Sequence, residues 1–140
     1  MLFSATMPQW VVDLSNSYMS EDKKLISMIK KEENQTSQTV SHNFLEVQGR
    51  SKVELLNKII STINQDRLII FTKTKVEASE LGKNIGHENV VLHSDITQFE
   101  RTQRLRSFKA GDVKILIATD VAARGLDIPD VELVIQLQVP

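Results

Sequence analysis

The chain has 140 residues, 41% of them apolar, no cysteine, and a formal net charge of −1 from 17 Lys and Arg against 18 Asp and Glu. That length suits one domain with a real core. It excludes disulfides and thiolate metal sites, and the apolar runs are too short to span a bilayer. A nucleic-acid binder is usually basic, so any such surface must come from local clustering of the Lys and Arg residues.

In chain order, the first segment is LFSATMP, with no leader-type apolar stretch after a basic start. A helix is predicted from Pro8 to about Met19, since proline suits a first helical turn. Trp10 and Tyr18 read as packing residues of that helix. The stretch Lys30 to Ser41 (KKEENQTSQTVS) has almost nothing to bury and reads as a linker or exposed loop. HNFLEV (His42–Val47) reads as an extra strand.

An alternating pattern then repeats. LIIF (Leu68–Phe71), VVLH (Val90–His93), ILIA (Ile115–Ala118) and LVIQL (Leu133–Leu137) are short, rich in β-branched residues and bounded by polar ones, as buried parallel strands are. Three capping-box patterns open helices between them: Ser51 with Glu54, Thr74 with Glu77, and Thr97 with Glu100. Strand, cap, helix, strand is the signature of a parallel α/β sheet flanked by helices. Ligands of such sheets bind beyond the carboxyl ends of the strands. Thr72–Lys75, His93–Arg101 and Thr119–Asp127 all fall there.

Local chemistry leaves alternatives open. Between Thr119 and Asp127 a short helical turn offers backbone N–H groups to an anion. Gly125 permits unusual dihedrals, and Asp127 offers two acceptors for sugar hydroxyls. The plainer reading is a cap at Asp120 and a surface ion pair between Arg124 and Asp127. Arg101 lies about 40° from Leu105 and about 20° from Phe108 on a helical wheel. A charge on that buried stripe must snorkel past the sheet end or meet an anion, a phosphate or an internal carboxylate. Thr74 suits a helix cap as well as a phosphate contact. Arg104, Arg106 and Lys109 read as surface charges. His93 reads as a structural histidine, and no metal site is indicated.

The string ATDVAARGLDIPDVELVIQ closely resembles motif V of the DEAD-box RNA helicases. Ser4-Ala5-Thr6 matches motif III, LIIFTKTK matches motif IV, and Gln98 to Arg101 matches the QxxR motif after an HxD sequence. The four motifs stand in the family's order across essentially the whole chain. Trp10 after SAT-x-P, and Val134-Ile135-Gln136 with Pro140, are nearest to the Gu-type nucleolar helicases. Ser94 stands where the family usually has glycine, and Lys75 where it usually has arginine.

The resemblance implies a RecA-like fold. Residues 1–29 would be a remnant of a first RecA-like domain, 30–41 a linker, and 42–140 a helicase C-terminal domain incomplete at its end. It implies RNA-backbone contacts from Thr74, Lys75, Ser94, Gln98, Arg101, Thr119 and Asp120. Gly125 and Asp127 would approach the ATP ribose, and Ser4 and Thr6 would couple the domains. ATP with Mg²⁺, RNA and the first RecA-like domain are the implied cofactor and partners. No membrane is expected. The implied location is intracellular, nuclear or nucleolar for a Gu-type protein. The 140 residues contain no GxxxxGK[ST], no DEAD and no HRxGRxxR. The chain is therefore expected to be part of an ATP-dependent RNA helicase that hydrolyses no ATP alone. A stand-alone, non-catalytic RNA-binding or regulatory module is the alternative.

Overall fold

The computed structural model describes residues 1–4, 7–26, 40–63, 67–123 and 125–138. The chain divides into two compact units, Met1–Phe44 and Leu45–Pro140.

The second unit is built on four parallel strands: β1 (Leu68–Thr72), β2 (Asn89–Leu92), β3 (Ile115–Thr119) and β4 (Leu133–Gln136). Their order is β2-β3-β1-β4. Leu68 pairs with Ile115 and Leu133, and Thr72 with Thr119. Asn89 pairs with Ile115 and Leu92 with Ala118. The four runs read from the sequence are these strands, displaced by at most one residue at an end.

Side chains alternate across the sheet, as period two requires. Leu68, Ile70, Ile115 and Ile117 face one side, with Leu56 of helix α2 (Lys52–Thr62) and Ala78 and Leu81 of α3 (Lys75–Asn84). Ile69, Leu116 and Ala118 face the other, with Phe108 of α4 (Gln98–Ala110) and Ala122 of α5 (Asp120–Ala123). The result is the expected sheet between two helical layers. Gly82 lets α3 lie close to β2, because a Cβ there would collide with the stiff, β-branched Val91 and press on Asn89.

Two helix starts differ from the pattern that announced them. Thr97 forms a full capping box with Glu100. Thr74 accepts from the Glu77 N–H at 3.1 Å, but the Glu77 carboxylate reaches past it to the Lys73 N–H, also at 3.1 Å. Ser51 stands at the cap position of α2 without a side-chain cap bond.

The extra strand expected over His42–Val47 does not form: these residues are irregular, with Phe44 88% and Leu45 64% exposed. A short apolar segment becomes a strand only with a ladder partner. None of the described ladders of the sheet includes these residues.

In the first unit, helix α1 (Gln9–Tyr18) follows Pro8, which takes the cap position. Trp10 is 67% and Tyr18 82% exposed, which overturns the packing role expected for both. Only Val11 of this helix is buried. Trp10 sits about 100° around the helix from Val11, and Tyr18 is the helix's last residue. The described part of LFSATMP is irregular and exposed, including Phe3 at 85%. The linker expected over residues 30–41 lies almost wholly outside the described residues.

Candidate nucleic-acid interface

The chain leaves β1 and β3, neighbours in the sheet, toward opposite faces. After β1 it enters α3, which packs on one side; after β3 it enters α5, which packs on the other. This divergence opens a crevice at the carboxyl ends of the strands, the place where open parallel sheets hold ligands. Lys73 to Lys75 border it from β1, and Thr119 and Asp120 from β3. The residues His93 to Asp95 extend the same rim beyond β2.

Thr72, the buried polar residue of this rim, donates from Oγ1 to the Thr74 carbonyl at 3.2 Å and so closes the turn into α3. The Thr74 hydroxyl is occupied as an acceptor by its cap bond, and its hydrogen remains available to donate. The Lys75 ammonium meets Asp95, Oδ2 at 2.8 Å and Oδ1 at 3.1 Å. The Ser94 hydroxyl donates to the same Oδ1 at 3.2 Å. The hydrogen bond from Lys75 holds the Asp95 carboxyl below the ordinary carboxylate range, with a smaller contribution from Ser94.

Beneath this cluster, the Asp95 N–H donates to His93 Nδ1 at 3.3 Å. That ring nitrogen must then be bare, so Nε2 carries the proton and donates to Ser79 Oγ at 3.0 Å. His93 is a structural histidine, as its sequence context suggests.

Arg101 is half-buried, and its Nη2 donates to the carbonyl of Ala122. The partner is neither of the two foreseen for it. Ala122 lies in the single turn of α5, whose last carbonyls have no intrahelical donors; Arg101 supplies one. Gln98 is exposed at the first position of α4, beside the same rim. Thr119 ends β3 half-buried, and Asp120 opens α5 exposed. Gly125 has φ +75°, a left-handed conformation, with open space where a Cβ would project. Asp127 is exposed between the half-buried Leu126 and Ile128. Ser4 is exposed in the first unit. Thr6, and Arg124 with the ion pair considered for it, lie outside the described residues.

Sequence reasoning missed three features. Arg104 is no plain surface charge: its Nη1 donates to the Val91 carbonyl at 2.7 Å and its Nη2 lies 3.5 Å from Glu100. Arg67, at the other end of the sheet, donates to the carbonyls of Lys109 and Pro129, each at 2.9 Å, and pairs with Asp130 at 3.2 Å. It ties the last turn of α4 to the approach to β4. Thirdly, Val76, Phe99 and Val121 are 59%, 71% and 84% exposed, each at the second position of a helix that follows a strand. The carboxyl-end rim thus presents apolar as well as polar groups. A cavity of about 380 Å³ lies at the amino ends of the strands, lined by Leu68, Ile115 and Leu133, away from this rim.

Among the described residues, no cluster of His, Asp and Glu is placed to hold a metal ion. No described helix is long and apolar enough to cross a membrane.

A parallel four-stranded sheet between two helical layers, with its polar crevice at the carboxyl ends of β1 and β3, is an open α/β domain, an architecture that RecA-like domains share. Residues 51–140 match the family described as the helicase conserved C-terminal domain, and the chain belongs to that family. It is 37% identical over 143 residues to DEAD-box ATP-dependent RNA helicase 9 of Oryza sativa subsp. japonica, spanning all of this chain and 23% of the relative. Over 140 residues it is 38% identical to nucleolar RNA helicase 2 of Rattus norvegicus, spanning 97% of this chain and 18% of the relative. The chain therefore spans roughly a fifth of the length of these curated relatives.

Solved structures agree. The E. coli DEAD-box protein SrmB, bound to regulator of ribonuclease activity A, aligns with TM-score 0.59 and 34% identity over 64% of this chain and 54% of that one. S. cerevisiae Dbp5 bound to RNA and ADP BeF3 aligns with TM-score 0.59 and 36% identity over 64% of this chain and 24% of that one.

Proposed function

We propose that the chain works as the C-terminal RecA-like half of an ATP-dependent RNA helicase of the DEAD-box kind, holding the RNA backbone on its carboxyl-end rim. The observation that carries this reading is the gathering of Thr74, Lys75, Ser94, Gln98, Thr119 and Asp120 on that one rim. The hydroxyl, amide and ammonium groups suit phosphate contacts and the Asp120 carboxylate suits a sugar hydroxyl, and such contacts hold a strand without reading its sequence. Arg101 joins them through the donors that Ala122 leaves unused.

ATP is the nucleotide this reading assigns. Gly125 faces open space and Asp127 offers an exposed carboxylate, and both suit the approach of a ribose. Mg²⁺ would accompany the nucleotide, with its ligands on a first RecA-like domain. Residues 1–29, with Ser4 and Thr6, would belong to that domain and couple it to residues 42–140. The likeness to nucleolar RNA helicase 2 supports a nucleolar place of action.

The test is a salt titration of fluorescent single-stranded RNA with the 140-residue chain. Each lost phosphate contact reduces the log–log salt slope by roughly 0.7 on single strands. Lys75→Ala is expected to weaken binding equally across RNA sequences and to lower the slope by about that amount. A wild-type slope and affinity in both Lys75→Ala and Gln98→Ala would remove the RNA-binding role from this rim.

A further inference from the structure

We infer that Asp95 sets the RNA affinity of this rim by competing with phosphate for the Lys75 ammonium. The inference rests on the RNA-binding reading above and assigns Asp95 a role that the reading leaves unassigned. Both carboxylate oxygens of Asp95 face Nζ, at 2.8 and 3.1 Å, so the ammonium is already chelated. The carboxylate is itself held in place. Ser94 Oγ donates to Oδ1, and the Asp95 N–H is anchored on His93 Nδ1, whose ring is fixed through Ser79.

The pair is nevertheless open to exchange. Its side chains are 53% and 55% exposed, and ion pairs so exposed are weak. An incoming phosphate oxygen can therefore take a place on the ammonium. At an ordinary charge-assisted distance of about 2.8 Å from Nζ, that oxygen lies within about 6 Å of the Asp95 carboxylate. The carboxylate is ionised across the neutral range, as an ordinary aspartate is, and Lys75 lowers its proton affinity further. One negative charge about 6 Å from another in water is worth roughly threefold in an equilibrium. Asp95 thus opposes RNA only through Lys75, by occupying the ammonium and by repelling the phosphate that the ammonium would hold at that distance.

The experiment measures the dissociation constant of a fluorescent single-stranded RNA for the 140-residue chain at about 50 mM salt, where the Debye length exceeds about 10 Å. The variants are Asp95→Asn, Asp95→Glu, Lys75→Ala and the double variant Lys75→Ala with Asp95→Asn, each checked by thermal melting. Asp95→Asn is expected to tighten binding by about threefold, while Asp95→Glu, which keeps the charge, stays at the wild-type value. In the Lys75→Ala background the gain from Asp95→Asn should largely vanish, since coupled residues are non-additive. If Lys75→Ala weakens binding but Asp95→Asn leaves it unchanged or weaker, the competition is wrong while the RNA-binding reading stands. A full gain that persists without Lys75 also overturns it, because the charge then acts on RNA independently. If Lys75→Ala itself leaves affinity and salt slope untouched, the underlying reading fails and the inference falls with it.

Discussion

Arg101 spends part of its guanidinium on the chain itself, and that fixes what its loss should do. Its Nη2 bond to the Ala122 carbonyl holds the single turn of α5 against α4. A hydrogen bond from a charged donor contributes about 1.5–3 kcal/mol, and the half-buried position of Arg101 argues for the lower end. Arg101→Ala is expected to cost about 1–2 kcal/mol and to weaken RNA binding as well. Phe108→Ala, on the same helix and fully buried, should cost about 3–5 kcal/mol. Denaturant melts of both variants check this; an Arg101→Ala melt indistinguishable from wild type would mean the Ala122 bond contributes nothing. Periodicity alone places Arg101 on the buried stripe, and so it is. Its partner was not legible, because every residue carries a backbone carbonyl and none announces itself. The same blindness hid the partners of Arg67 and Arg104, whose guanidinium groups also end on carbonyls.

At the scale of elements, one four-residue pattern gives three different helix starts. Thr97 completes its box, Thr74 completes half of it, and Ser51 makes no cap bond. The chain entering each cap differs. Ile96, before Thr97, packs against the core. Before Ser51 the backbone turns through Gln48 and Gly49, both with positive φ, and Arg50 is exposed. A buried neighbour fixes the angle at which the cap meets the helix; an exposed one does not. Thr97→Ala should therefore cost about 1 kcal/mol, and Ser51→Ala should stay within about 0.5 kcal/mol of wild type. The contrast is read from urea midpoints.

The pH dependence of the same cap has a definite sign. Hydrogen bonds from the Thr97 hydroxyl and N–H hold the Glu100 carboxyl below its ordinary value of 4.5. Its contribution is thus present above that value and lost as pH falls through the depressed one. The difference between Thr97→Ala and wild type should narrow on acidification; a constant gap would remove Glu100 from the box. Strand and helix placement was legible because apolar period and cap chemistry are local. His42–Val47 shows the limit: it carries Phe44, Leu45 and Val47, but a strand also needs a neighbour that local pattern does not supply.

At the scale of the whole molecule, the net charge of −1 and the engaged cations belong together. Lys75 is paired with Asp95, Arg104 with Glu100, and Arg101 with a carbonyl. The rim is therefore expected to hold RNA weakly and in a strongly salt-dependent way. The location proposed for the site follows from the sequence, because strand ends and motif V both point to it. Its internal pairings do not, since Lys75 and Asp95 are twenty positions apart and meet only because α3 and the loop after β2 share one end of the sheet.

Chemistry at that end is limited by what the 140 residues contain. Phosphoryl transfer depends on a cradle for the β- and γ-phosphates, on metal ligands, and on cations aimed at the transferring group. No GxxxxGK[ST], DEAD or HRxGRxxR sequence occurs in the chain. Gly125 and Asp127 can approach a sugar but cannot stabilise charge on a γ-phosphate, and the exposed Asp127 carboxylate would repel it. The 140-residue chain is therefore expected to show no RNA-stimulated ATP turnover above background, even at RNA concentrations that saturate the rim. The measurement is phosphate release with and without single-stranded RNA, repeated after a second purification and with Asp127→Ala alongside. Turnover that survives repurification and disappears in Asp127→Ala would show that these residues assemble a complete site. Turnover equal in both proteins would belong to a contaminant. Adding a separately expressed first RecA-like domain, with its P-loop and DEAD sequence, should create RNA-stimulated release that Asp127→Ala reduces, because the proposed ribose contacts and the phosphate machinery would then meet on one nucleotide.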